Sequence, residues 1–282
     1  MDIRPNSYQA DYWTGAAGHN WVRSRPSYDA ELAQFGDEVL RRAAITTGER
    51  VLDVGCGTGA MTVQAAESAA PGGVVGLDIS DTMLEAAIER ARDAGVTNTT
   101  FTSADAQRGP IAGSPFDVVI SRFGVMFFED STAAFANIGA ATRPDGRLAF
   151  ACWQAPEDNP WMTETNAAIA AFVESASVSA DAPGPFRFGD ADLVRSILDD
   201  SGWIDVEVSD VRMPLHLAGP GSVDDAVAFW SSRPNVASAV AAGGPEVGAH
   251  VAAALRDIFG SHHDGVGVRF DSAVWSVGAR RP

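Results

Sequence analysis

A chain of 282 residues, 46% of them hydrophobic, can bury one large domain or one domain with a sizeable insertion. Its formal net charge is −17 and all 20 basic residues are arginine, which argues against a phosphate-backbone partner and excludes Schiff-base chemistry or a lysine general base. Two cysteines, Cys56 and Cys152, make no disulfide framework and fit a reducing cytoplasm.

Residues 1–7 lack the apolar run of a signal peptide, and no later stretch approaches a membrane span, so a cytoplasmic protein without membrane partners is expected. Residues 8–28 mix Tyr8, Tyr12, Trp13, Trp21 and Tyr28 with Gly15, Gly18 and His19. Such a segment does not read as a core strand. It reads either as a short helical flap or as aromatics capping the edge of the core. From 30 to 44 the apolar positions Leu32, Phe35, Val39 and Leu40 fall at helical spacing.

The next stretch organises the chain. Val51, Leu52 and Val54 read as a buried strand interrupted by Asp53; Gly55, Gly57 and Gly59 follow at alternate positions around Cys56; residues 60–66 read as a helix. Strand, glycine turn and helix form the nucleotide-binding opening of a doubly wound sheet. Gly55, Gly57 and Ala60 also satisfy a loose dinucleotide fingerprint, so NAD or FAD has to be weighed. Asp53, two positions before the first glycine, and the third glycine favour S-adenosylmethionine. That ligand has no pyrophosphate and needs close backbone approach, with carboxylates for its ammonium and ribose hydroxyls. The stretch resembles motif I of the class I S-adenosylmethionine-dependent methyltransferases.

Further segments extend the resemblance over about residues 50–153. A second strand, 74–77, ends at Asp78, whose carboxylate suits two ribose hydroxyls; Ile79 follows, and Ser80 or Asp81 caps a helix over 81–94 whose first turn carries Met83, near the adenine in this family. A third strand, 99–102, leads to Asp105 and Ala106, which resemble the family's adenine-binding acid and its neighbour. A fourth, 116–121, runs into Arg122, Phe123, Gly124, Val125, Met126 and Phe127, so apolar a loop that it is expected to line a pocket. A helix over 131–141 and the turn Arg143-Pro144-Asp145-Gly146 lead to a fifth strand, 147–153. The resemblance also implies that the N-terminal aromatics cover the cofactor, with Tyr12 and Trp21 against it and Trp13 beside the acceptor.

Beyond residue 153 the resemblance thins. Asn159-Pro160-Trp161 lacks the second proline of the amino-methylating nucleic-acid enzymes and follows the wrong strand. Helices are expected over 162–175 and 190–201, the latter closed by Gly202, and strands over 204–211 and 268–277, the last antiparallel to the fifth. Between them, residues 212–267 carry Phe229, Trp230 and Ala-rich helical turns. This insertion is expected to be a substrate lid, with a homodimer surface as the rival. His262-His263-Asp264 sits in a Gly-rich loop, and no metal site is expected.

The fold expected is α/β: a doubly wound, mostly parallel, seven-stranded Rossmann-like sheet with an antiparallel last strand and a helical lid. Its parts are a flap (1–45), a cofactor-binding core (46–211), the lid (212–267) and the last core strand (268–282). The function implied is methyl transfer from S-adenosylmethionine, by direct in-line displacement, to an apolar small molecule such as a natural product, quinone or lipid-like compound. Trp13, Phe123, Met126, Phe127, Phe229 and Trp230 are expected around the acceptor, and His19 is the expected base should one be needed. A non-methylating cyclase or dehydratase that keeps the cofactor as a scaffold is the alternative. An inactive scaffold is disfavoured by the full set Asp53, Asp78 and Asp105.

Overall fold

Four consecutive buried residues, Val51–Val54, form β1 at the centre of a seven-stranded sheet. The computed structural model describes residues 6–173 and 182–282. In chain order, three helices come first: α1 (Ser7–Thr14), α2 (Ala16–Arg23) and α3 (Arg25–Ala43). After β1 come α4 (Ala60–Ala69), β2 (Val74–Asp78), α5 (Asp81–Asp93), β3 (Thr99–Ser103), β4 (Phe116–Arg122), α6 (Ser131–Ala140) and β5 (Thr142–Trp153). The chain closes with α7 (Pro160–Ile169), α8 (Ala191–Asp200), β6 (Ile204–Leu217), α9 (Val223–Ser231), α10 (Pro234–Ser261) and β7 (Val268–Arg280).

The strands lie in the order β3-β2-β1-β4-β5-β7-β6. The first five run parallel, and β7 is antiparallel to both β5 and β6. The expected fold class is therefore the observed one. Central strands are buried on both faces, so β1 and β4 read as mainly apolar runs, with Asp53 inside β1 and Asp117, Ser121 and Arg122 in β4. The strand order reverses between β1 and β4, and a crevice opens at the carboxyl ends of the strands beside such a reversal.

Several boundaries differ from expectation. The third N-terminal helix begins at Arg25, with Pro26 in its first turn, where a missing N–H costs nothing. β5 begins at Thr142, opposite Phe116, and the Arg143–Gly146 turn bulges out before pairing resumes at Arg147 with Val118. α7 stops at Ile169; the end of the helix expected over 162–175 lies outside the described residues.

β6 runs on through Pro214 to Leu217. A proline inside a strand argues against a central position, but β6 is the sheet edge, where the lost donor faces no partner. Residues 212–217 are therefore strand, and the insertion proper begins at Ala218. Within it α10 is broken at Gly244, whose φ of 73° precedes Pro245. No described helix is long and apolar enough to cross a membrane.

Candidate active site

The turn after β1 is built by backbone contacts that only glycine permits. Gly55, Gly57 and Gly59 all have positive φ, at 67°, 56° and 78°. Across the strand-order reversal, a Cβ on Gly55 would lie 2.8 Å from Cα of Gly124. Gly124, in the loop after β4, is equally constrained, since its own Cβ would meet the Val54 carbonyl oxygen at 2.7 Å. Ser121 Oγ donates to that same Val54 oxygen at 2.7 Å. The ends of β1 and β4 are thereby locked together. Ser121, at the end of β4, is a site-building residue that the sequence did not single out, and Gly124, named in the expected pocket loop, owes its place to this close backbone approach.

Asp78 holds the other side of the turn. Its Oδ2 accepts from the Gly57 N–H at 2.8 Å and its Oδ1 from the Ser80 N–H at 2.9 Å. Burial raises its pKa against these bonds. Each carboxylate oxygen has a second lone pair, so acceptor capacity remains for hydroxyls. Ser80 caps α5 by accepting from the Met83 N–H, and Met83 Cε lies 3.1 Å from where a Cβ of Gly57 would stand. Ile79 is half-buried between them, and Cys56 is buried in the turn, its thiol pushed well up by burial.

Asp53 is buried at the base of the turn. Its Oδ2 accepts from Thr62 Oγ1 at 2.6 Å, while Oδ1 has no partner. Burial pushes its pKa up to about 7, against the Thr62 bond and the nearby Arg122 charge. A buried carboxylate oxygen without a donor is a costly state. It fits a ligand that brings an ammonium to this point, as the amino-acid part of S-adenosylmethionine does. Asp105 accepts from the Asn6 side chain and the Gln107 N–H through Oδ1, both at 2.9 Å. Its Oδ2 makes no hydrogen bond among the described residues, and Ala106 beside it is buried.

Arg122 goes elsewhere than expected. Its guanidinium donates to the Leu32 carbonyl at 3.2 Å and lies against Gly36 on α3. It acts on Asp53 through charge at a distance. Phe123 follows with φ 59°, a strained conformation for a bulky residue. Its ring stacks on Trp153 at 4.3 Å and meets Phe35 at 5.4 Å, so it is both core and wall. Met126 is buried at 1% exposure.

The N-terminal helices dock over this end of the sheet. The Trp13 carbonyl accepts from Ser80 Oγ at 2.7 Å. Asn6 clasps Glu129, accepting from its N–H at 2.9 Å and donating its own N–H to Oε2 at 2.7 Å. A run of rings then joins three distant segments. Trp13 meets Phe127 at 5.2 Å and Trp21 at 5.9 Å; Trp21 stacks on Tyr28 at 3.8 Å; Tyr28 meets Phe229 of the insertion at 4.8 Å. Tyr12 stands at the outer edge, 5.2 Å from Trp13. Trp230 is fully buried and meets Trp161 at 6.4 Å. Trp161 is held by Asn159, whose side chain also ties the loop after β5 to Ala273, so the Asn-Pro-Trp run is structural.

No histidine enters the ring cluster. His19 is exposed, with Nδ1 2.8 Å from the Gly15 carbonyl one turn back on its own helix. His216, His262 and His263 face Asp264, Glu164 and the Gly221 carbonyl, and His250 stacks on Phe172. Among the described residues, no group of His, Cys, Asp and Glu is arranged to hold a metal.

Comparison with known proteins agrees with this geometry. Residues 45–200 match a family model described as a methyltransferase domain. The chain is 30% identical over 221 residues to a nocamycin O-methyltransferase of Saccharothrix syringae, covering 72% of this chain and 76% of that one. It is 35% identical over 133 residues to an aklanonic acid methyltransferase of a Streptomyces species, covering 45% and 60%. The YcgJ protein of Bacillus subtilis superposes with a TM-score of 0.59 at 15% identity, over 88% of this chain and 98% of that one, a likeness of fold. The chain belongs to the methyltransferase domain family and is an S-adenosylmethionine-dependent methyltransferase.

Proposed function

We propose that the acceptor is a small molecule with a largely apolar, aromatic body, held between the N-terminal helices, the loop after β4 and the insertion. The observation behind this reading is the continuous run of rings from Phe127 through Trp13, Trp21 and Tyr28 to Phe229. Apolar walls with few polar groups are the usual lining of small-molecule sites. The insertion contributes Phe229 to that run, which supports its reading as a lid.

The cofactor supplies an electrophilic methyl group on a sulfonium. The chain's own work is to align the acceptor with it in line, to exclude water and to stabilise positive charge with ring faces. In this reading Asp53 takes the ammonium, Asp78 the ribose hydroxyls and Asp105 the adenine side. Tyr12 and Trp21 cover the cofactor, and Trp13, Phe127 and Phe229 touch the acceptor. With His19 exposed on its own helix, the reading needs no histidine base. Two relatives named for nocamycin and aklanonic acid favour natural-product acceptors of this kind.

The test is transfer of labelled methyl from S-adenosylmethionine across a panel of hydroxylated naphthoquinones and aromatic acids. Phe127→Ala, at the edge of the ring run, should lower acceptor kcat/KM by about tenfold while S-adenosylhomocysteine affinity changes by less than about twofold. Equal loss of both would assign Phe127 to the core alone. Trp230 is less suited to such a test, because it is 1% exposed and truncating it would cost about 3–5 kcal/mol of stability.

A further inference from the structure

Among the rings around Trp230 sits one arginine whose buried Nε has no hydrogen-bond partner. Arg233 lies between α9 and α10, with its side chain 16% exposed. Its guanidinium stacks 3.7 Å above the Trp230 ring and lies 5.7 Å and 5.8 Å from the Phe229 and Trp161 rings. The nearest carboxylate, Glu31 on α3, stands 4.0 Å away, beyond hydrogen-bond reach. Among the described residues the Arg233 side chain makes no hydrogen bond, and its Nε is buried without a partner. The indole N–H of Trp230, in the same stacked pair, is also buried and unpaired.

Two unpaired buried donors side by side are expensive to keep, and each is normally matched. The N–H bonds of a guanidinium lie in its plane, so stacking on Trp230 leaves that edge free. The edge matches a carboxylate or another ionised oxygen. Glu31 is 3% exposed on its side chain, and its Oε2 is already taken by the Ala218 N–H at 2.9 Å. Burial raises the Glu31 pKa, against the pull of Arg233. The other titratable groups facing Arg233 are the hydroxyls of Tyr12 and Tyr28, whose pKa burial raises further.

We infer that Arg233 anchors an ionised oxygen of the acceptor, so that the enzyme selects aromatic molecules carrying a carboxylate or a similarly acidic oxygen over their neutral isosteres. The inference rests on the acceptor site proposed above. In this arrangement Trp230 orients the guanidinium plane, and Glu31 holds the cation in place and competes with the ligand for it. A neutral aromatic of the same shape fills the rings but leaves Arg233 unmatched.

Calorimetry on the full chain, saturated with S-adenosylhomocysteine, tests this with two probes of one shape, 2-naphthoate and 2-naphthamide. The wild type should bind the carboxylate about tenfold more tightly than the amide, as for a charge-assisted pair. Arg233→Gln should bring the two within about twofold, and Glu31→Gln should widen the preference, because it removes the competing charge. A purely structural role for Glu31 would weaken both probes together. Equal binding of the probes by the wild type, absence of 2-naphthoate binding, or an unchanged preference in Arg233→Gln would overturn the inference. Should Arg233→Gln not fold, Arg233→Lys keeps the charge without the planar fork and should retain only part of the preference. Cofactor affinity, read separately without probe, bears on the methyltransferase site alone, so failure there is distinguishable from failure here.

Discussion

Asp53 carries a charge problem that the ammonium proposed to bind there would resolve. Its pKa is pushed up to about 7 by burial, from an ordinary 3.8. The folded chain thus holds this proton more tightly than the unfolded chain. For stability, the group's contribution is fully present below about pH 4 and is lost as pH rises through 7. For an ammonium-bearing ligand the sign is opposite, because the ionised carboxylate is the one that binds it. S-adenosylhomocysteine should therefore bind about tenfold more tightly at pH 7 than at pH 5.5. Asp53→Asn should flatten that rise, leaving only what the raised Asp78 contributes. A pH-independent affinity in the wild type, or an equal slope in the variant, would count against the role given to Asp53. Arg122 is the residue whose position the chain order hid. Following a strand that ends at the crevice, it reads as a site residue, yet its long side chain reaches back to Leu32 on α3.

At the scale of elements, the docking of α1 and α2 depends on a glycine. A Cβ on Gly18 would lie 1.9 Å from the Trp13 carbonyl oxygen, the same oxygen that accepts from Ser80, and 3.3 Å from Ser80 Oγ. Gly18→Ala must separate α2 from α1 or pull both from α5. A loss of about 1–3 kcal/mol in stability is expected, as for overpacking. Thermal melting and the rate of tryptic cleavage after Arg23 read it out; wild-type behaviour in both would show that the helices are not locked in this way. The central elements were legible because parallel strands buried on both faces leave unmistakable apolar runs, as at Val51–Val54. The extension of β6 past Val211 was not legible, because Pro214 looks like a strand breaker until the strand is known to be an edge. Glu31 and Arg233 were invisible for another reason. They are 202 positions apart in the chain, and a charged residue, whether on a helix like Glu31 or in a connection like Arg233, reads as solvated unless tertiary contacts bury it.

At the scale of the whole molecule, the family match falls on one continuous span, while the run of rings is assembled from segments far apart in sequence. Residues 45–200 carry the family match, and the carboxylates proposed to hold the cofactor, Asp53, Asp78 and Asp105, all lie in that span. The ring cluster, by contrast, draws on α1, α2, α3, the loop after β4 and α9. The sequence singled out Trp13, Trp21, Phe127 and Phe229 one by one, while the folded chain shows them joined, through Tyr28, into one run. The net charge of −17 argues against a nucleic-acid acceptor. Gel shifts with RNA and DNA at low salt should show no binding, and tight, salt-sensitive complexes would contradict that expectation.

Calorimetry tests most directly whether the glycine turn and Asp78 seat S-adenosylmethionine. S-adenosylmethionine and S-adenosylhomocysteine should bind the wild type and NAD should not, and Asp78→Ala should lose about 1–3 kcal/mol of affinity for both ligands. Preferential binding of NAD, or undiminished affinity in Asp78→Ala, would contradict it.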